Sequence, residues 1–510
     1  MTFAAVFARQ RPTQIALRSA GRELTWEQVD QLLKRMVNGL LAVSFRSDRR
    51  VAVFAENSAE TLLCYVAATL AGCSAVPVNF HLTADEAAYI FGDAGVDIVL
   101  ADASTAERAV EAARLAGSSL VVVRGASLDG ARTWDDWLAE ASDAEPPVDR
   151  EPLPALVYTS GTTGRPKGTP LPPTSFVGGA DIADHVARLQ QNRWAEFGPH
   201  LVVGPMYHSG PLVSTRLLVA GVPVTVLGKF DAETVLRSIH EHRIGSTVMV
   251  PTHFIRLLAL PRQVRERYDV SSLRYVLQVG SKCPVDVKRA MIEWWGEVVW
   301  ESYGASEVGT TCLISATEWL EHVGSVGRPI PPFEAMVVDE NGAELPPGRE
   351  GRLYFRDTTG RGIVYHQAPD KERSVHLAPG VFTLGEVGYI DQDGYVYITD
   401  RFSDMIVSGG VNIYPAESEL VLAGHPQVEE VACIGVPHPE MGEELKAVVV
   451  PRERQSPPDP AELLAFCRDR LAHYKCPRSV VFVGSLPRSA MGKLDKRRLK
   501  AQFVPSGVSG

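Results

Sequence analysis

The eleven residues YTSGTTGRPKG, Tyr158 to Gly168, hold three glycines, four aliphatic hydroxyls, an arginine and a lysine directly after the apolar run LPALV. Glycines let backbone N–H groups converge on an anion with no side chain in the way, while hydroxyls and a lysine add donors and charge. Such a loop suits the phosphates of a nucleotide; the plain alternative is a polar Gly/Thr turn. It is not the GxxxxGK[ST] phosphate loop, because Lys167 is followed by Gly168 instead of Ser or Thr. A nucleotide held here needs a different scaffold.

The elements that position the loop are legible on both sides of it. LTWEQVDQLLKRMVNGLLAV has apolar residues at helical spacing and opens on a Thr25/Gln28 capping box, whereas VAVFA is a short buried-strand run. Helix and strand then alternate through SAETLLCYVAATLAGC, SAVPV, TADEAAYIFGDAG (capping box Thr83/Glu86), DIVLA, TAERAVEAARLAG and SLVVVRG. The same alternation returns between about 201 and 300, in LVVGP, VPVTVL, AETVLRSIHEHR, STVMVP and RYVLQVG. Strand–helix alternation predicts parallel sheets covered on both faces, here one large α/β body. After residue 324 the texture changes to short strands and turns, and past Arg401 a compact α+β piece follows, with strands EVACIGVP, ELKAVVVP and SVVFVGSLP and the helix PAELLAFCRDRLAHY. The boundary is placed at 400, giving domains 1–400 and 401–510.

Composition bounds the answer. A chain of 510 residues, 45% of them hydrophobic, exceeds the roughly 250–300 residues at which single cores stop growing, so at least two domains are expected. A net charge of −10 opposes broad binding to nucleic acid or anionic lipid. The seven cysteines are scattered without CxxC spacing, which points to neither a disulfide framework nor zinc and fits a reducing cytoplasm. No run of 18 apolar residues and no basic leader occurs, so a soluble chain without integral membrane association is expected.

Three further stretches join the loop: ESYGASEVG (301–309), GYIDQDGYVYITDRFSDMIVSGGVNIYPAESE (388–419) and PRSAMGKLDKRRL (487–499). Together, in this order, the four resemble the signature motifs of the adenylate-forming superfamily of acyl-CoA synthetases, peptide-synthetase adenylation domains and luciferases. PMYHSGPL, VPTHFIRLLALP and EHVGSVGRP look most like bacterial CoA ligases for fatty, steroid-side-chain or aromatic acids. The resemblance implies an α/β fold: a large N-terminal domain of doubly wound sheets with a small β-barrel-like part, and a smaller, mobile α+β lid. It also implies ATP and Mg²⁺, with CoA as co-substrate and a small-molecule acid as partner; a homodimer is common among relatives.

Roles follow from the matching positions. Lys493, which composition alone would leave solvated, corresponds to the lysine that bridges acid and α-phosphate. Thr159, Ser160, Gly161, Thr162, Thr163, Gly164 and Lys167 form the phosphate loop. Glu307 is the Mg²⁺ partner, an oxygen ligand for a hard cation. Tyr303, Gly304 and Ser306 lie at the adenine and phosphate side, with Tyr303 open to a core-packing reading. Arg401 and Glu386 face the ribose, Glu386 standing where relatives have aspartate. Ser403 stands at the domain pivot, usually Asp or Lys, and a small residue can absorb the backbone change. Gly409 and Gly410 line the pantetheine tunnel. Tyr207, His208, Gly280 and Ser302 shape the acyl pocket, with His208 either a direct participant or a structural histidine. Lys282, where relatives carry small residues, points to solvent or brings a cation to the acid.

Two alternatives accompany the CoA-ligase reading. An adenylating enzyme with another acceptor would load a carrier protein or an amine, or activate nitrite and transfer it to an arylamine such as an aminobenzoic or aminocoumaric acid, as a diazotase. A non-catalytic nucleotide-binding relative is the second.

Overall fold

The computed structural model describes residues 3–46, 48–159, 166–191, 193–401, 406–408, 411–413, 415–438, 442–471, 473–489 and 492–503. The chain divides into two compact units, 1–330 with 363–374 and 331–362 with 375–510.

The first unit is built on two sheets. One is fully parallel, in the spatial order Ser74–Pro77, Arg50–Phe54, Val96–Asp102, Leu120–Arg124, Arg132–Thr133. The other has nine strands, running from Arg328–Pro329 through Gly309–Ile314, Val299–Ala305, Tyr275–Gln278, Ser246–Met249, His200–Val202, Val224–Val226 and Ile15–Ser19 to Arg22–Thr25. The span from Val299–Ala305 to Ile15–Ser19 is parallel, and antiparallel strands close both edges. Alternation foresaw the parallel sheets. It did not foresee that Ile15–Ser19, besides its hairpin partner Arg22–Thr25, would pair in parallel with Val224–Val226.

Both capping boxes form: Thr25 with Gln28 at the head of helix Trp26–Leu41, and Thr83 with Glu86 at Ala84–Ala94. Helix Ala59–Leu70 is buried at every residue but Thr69. A helix apolar all round must lie inside, and its side chains share one core with residues of both sheets, among them Val51, Ile98, Val202 and Val224. At roughly 25 cal/mol per Å² of apolar surface, burial of this kind is the main stabilising term.

The second unit carries a six-stranded antiparallel sheet, Phe333–Val338, Gly351–Asp357, His376–Ala378, Val381–Phe382, Glu386–Ile390 and Val396–Arg401. Its other sheet has five strands, centred on the long antiparallel pair Val428–His438 and Gly442–Pro451, with Ser479–Phe482 added in parallel. Helices Pro415–Ala423 and Pro460–Arg468 pack on one apolar cluster and Lys496–Phe503 on another. All seven cysteines are buried as free thiols. Among the described residues no helix is long and apolar enough to cross a membrane.

Candidate active site

The loop is presented by two short antiparallel strands, Leu156–Thr159 and Lys167–Pro170, whose register sets Thr159 opposite Lys167. Its two ends therefore stand side by side. Gly168 fits closely: a Cβ there would lie 3.2 Å from both His366 Cβ and Tyr158 Cζ, so those side chains would have to give by a few tenths of an ångström. The strands are braced from behind. The Tyr158 hydroxyl donates to Asp93 Oδ2 at 2.6 Å, Tyr89 donates to the Pro166 carbonyl at 3.2 Å, and the His366 backbone N–H donates to Gly168 at 2.8 Å. Burial, then the Asp93 carboxylate, pushes the Tyr158 phenol far above its ordinary range, so it stays a donor.

Facing the first strand is the turn between Val299–Ala305 and Gly309–Ile314. Gly304 is required there, since a Cβ would stand 1.9 Å from the Gly309 carbonyl oxygen. The turn delivers Glu307, whose Oε1 accepts the Thr159 hydroxyl at 2.9 Å. Tyr365 also hydrogen bonds to the Glu307 carboxylate, and burial together with that negative charge raises its pKa. The hydroxyl and carboxylate oxygens are the donor set that Mg²⁺ prefers.

One residue earlier, Ser306 Oγ lies 2.9 Å from Ser209 Oγ, tying the turn to the segment that carries Tyr207 and His208. His208 is half-buried with its ring 4.4 Å from that of Tyr207, and Tyr207 in turn meets Phe80 edge-on at 5.3 Å. Buried Asn57 fixes this segment: its Nδ2 donates to Gly204 at 2.8 Å and its Oδ1 accepts the Met206 N–H at 2.9 Å. Ser302 Oγ pairs with Thr310 Oγ1 at 2.8 Å, and Tyr303 is half-buried on the same strand. Gly280, at φ +89°, turns the chain after strand Tyr275–Gln278. Lys282 is exposed, and its charge reaches Glu301.

Thr159, Lys167, Tyr207, His208, Gly280, Lys282, Ser302, Tyr303, Gly304, Ser306 and Glu307 thus belong to the first unit, where hydrogen bonds join Thr159 to Glu307 and Ser306 to the His208 segment. In the second unit, buried Glu386 is the register partner of Arg401, of which only the backbone is described. Lys493 is exposed in a turn where Ser489 N–H donates to the Lys493 carbonyl at 2.8 Å and Arg488 donates to Gly492 at 2.9 Å. Ser160, Gly161, Thr162, Thr163, Gly164, Ser403, Gly409 and Gly410 lie outside the described residues.

Reading the sequence missed Tyr365, Asn57 and Ser209. No local pattern marks Tyr365, which reaches Glu307 only through the tertiary fold. Ser209 had a signal, since it directly follows His208.

A glycine-bearing loop between two strands, faced by a hydroxyl-bound carboxylate and followed by a smaller α+β unit with a lysine turn, is the layout of an enzyme that activates acids by transferring AMP to them. The protein is an AMP-forming ligase. Its chain belongs to the AMP-binding enzyme family: residues 4–362 match that family's model, and 417–493 match the AMP-binding enzyme C-terminal domain. A feruloyl-CoA synthase from an Amycolatopsis species is 34% identical over 504 residues, covering 97% of each chain. A fatty acid–[acyl-carrier-protein] ligase of Streptomyces coeruleorubidus is 33% identical, over 97% of this chain and 95% of its own. The amide bond synthetase McbA of Marinactinospora thermotolerans matches with a TM-score of 0.82 and 27% identity over 99% of both chains.

Proposed function

We propose that the protein is a carboxylic acid:CoA ligase acting on a fatty, steroid-side-chain or aromatic acid. In the first step a carboxylate oxygen bonds to the α-phosphorus of ATP while the bond to the bridging oxygen breaks and pyrophosphate leaves. In the second the thiol of CoA loses its proton, sulfur bonds to the acyl carbon and AMP departs. Charge grows on phosphoryl oxygens in the first step, so catalysis is mainly positioning and cationic stabilisation.

The observation that carries this reading is the Glu307 carboxylate fixed by Thr159 at the end of the loop's first strand. Glu307 would hold Mg²⁺, which when bound neutralises phosphate oxygens. Thr159 and Lys167 frame the β- and γ-phosphates together with 160–164, and Tyr303, Gly304 and Ser306 take the adenine side. Glu386 and Arg401, opposite one another in register, serve the ribose. His208, Tyr207, Gly280 and Ser302 shape the acyl pocket. Lys493 completes the first step from a lid, residues 401–510, that pivots at Ser403 against a body of 1–400, and Gly409 and Gly410 admit the pantetheine arm. A cytoplasmic homodimer belongs to the same proposal.

A second reading, transfer to an acceptor other than CoA, draws on the likeness to an amide bond synthetase and a carrier-protein ligase. Mass spectrometry of products from MgATP and mixed carboxylic acids, run with CoA and separately with nitrite plus an aminobenzoic acid, tests both. A CoA thioester with free AMP is expected. A diazo product instead would establish the second reading, and absence of pyrophosphate exchange with every acid and with nitrite would leave a nucleotide-binding relative without catalysis.

A further inference from the structure

Within the first unit lies a cavity of about 60 Å³ whose walls include Tyr65, Ser175, Phe176, His185, Ser209 and Arg216. Helices Ala59–Leu70, Ile182–Gln190 and Val213–Val219 supply most of the described lining, and no Asp or Glu is among the described residues that line it. Ser209 belongs to both places, because its hydroxyl lies 2.9 Å from Ser306 Oγ.

Arg216 is the anomaly. Its guanidinium makes no ion pair and no hydrogen bond among the described residues, although protein encloses it and burial pushes its pKa down to about 10. Arginine is almost never enclosed unless paired, because the desolvation of an unmatched charge is costly. Arg216 keeps part of its surface accessible and is one of the residues that line the cavity.

His185 does not supply the missing partner. Its Nδ1 lies 2.9 Å from the Gly178 carbonyl, so that nitrogen carries the proton. Burial, reinforced by the charges of Arg188 and Arg216, lowers its pKa and holds it neutral. Asp184, on the same helix, is already paired with Arg188 at 2.9 Å. Ser175 adds a hydroxyl with no hydrogen-bond partner among the described residues. The cavity therefore presents one unmatched cation and a free hydroxyl inside largely apolar walls.

Size sets what fits. A water needs on the order of 10–15 Å³ of such space, so the cavity takes the small polar end of a molecule, of the size of a carboxylate. We propose that the acid activated by this protein carries a second carboxylate at its far end, which enters this cavity and pairs with Arg216. The inference rests on the adenylating function proposed above and assigns Arg216 as the residue that selects the substrate class, a dicarboxylic acid.

The test uses matched pairs: benzoate and terephthalate, cinnamate and 4-carboxycinnamate, octanoate and octanedioate. Each is measured by ATP–pyrophosphate exchange and, separately, by calorimetric binding without ATP. The full-length protein and its Arg216→Met and Arg216→Lys variants are compared. In at least one pair the diacid is expected to exceed the monoacid in kcat/KM; Arg216→Met should then lose on the order of 100-fold for the diacid and little for the monoacid, as expected for a charge-assisted contact, and Arg216→Lys should recover part. Monoacids used as well as diacids in every pair, or equal losses for both members in Arg216→Met, would overturn the inference while leaving adenylation intact. If no acid supports exchange, the adenylation reading fails and calorimetry decides this one: diacid binding abolished by Arg216→Met upholds it, and binding absent or indifferent to the substitution ends it.

Discussion

Two enclosed cations in the first unit differ in one respect. Lys288, on helix Val285–Trp295, is fully buried, bonded to the Glu301 carboxylate, and sits 4.7 Å from the centre of the Trp319 ring. Arg216, on helix Val213–Val219, has no such partner among the described residues. Burial pushes the Lys288 ammonium down and the Glu301 carboxyl up, and their mutual attraction opposes both shifts. Each thus depends on the other to stay charged. A buried charge that brings its own counter-ion is part of the scaffold; one that lacks it is suited to a ligand. The same comparison sets Glu301, bonded to an ammonium, apart from Glu307, which accepts the Thr159 hydroxyl.

The largest effect expected is on stability. Lys288→Met should lower the free energy of unfolding in urea by about 3–5 kcal/mol, because it strands a buried carboxylate, while the double variant Lys288→Met/Glu301→Leu should recover most of the loss. A double variant as unstable as the single one would break the comparison. Next is Lys493→Ala, which should slow adenylation by about 10²–10³-fold, the size of losing a preorganised charge at the transition state. Its unfolding midpoint, and its thiolation of a supplied acyl adenylate, should be unchanged; equal loss of both half-reactions would contradict the pivoting lid. Glu307→Gln should weaken MgATP by about 10–100-fold, as loss of a metal-binding carboxylate does, read as a rise in KM at constant unfolding midpoint. The smallest effect is predicted for Lys282→Ala. An exposed side chain should change stability by less than about 0.5 kcal/mol and leave acid kinetics as they were, whereas a selective loss of acid use would move Lys282 into the substrate site.

How much of this was visible in the chain depends on range. Local signals were sufficient for the capping boxes at Thr25 and Thr83 and for the strand–helix alternation, because they involve residues a few positions apart. The motifs named Thr159 and Glu307 separately, but their 2.9 Å contact, and the tyrosine that completes it, depend on tertiary placement. Lys288 was a missed opportunity: it shares a helical stripe with buried Met291, Ile292 and Trp295, and a lysine on an apolar stripe asks for a buried acid. Arg216 shares a stripe with Val213 and Leu217 in the same way. Spacing could flag it as inward, yet whether a counter-ion awaited it depended on three helices meeting.

The pairing of Ile15–Ser19 with Val224–Val226 has a consequence for how the protein is made. On a ribosome the opening segment emerges long before the strand it will lie beside, and closing so long a loop is slow. Until then Ile15–Ser19 would offer the backbone groups of its unpaired edge to any passing strand, as Val224–Val226 would in a chain lacking it. Newly made chains should therefore be most prone to clumping while only the first part of the first unit has been synthesised, and a version trimmed of its opening hairpin should carry that stickiness permanently.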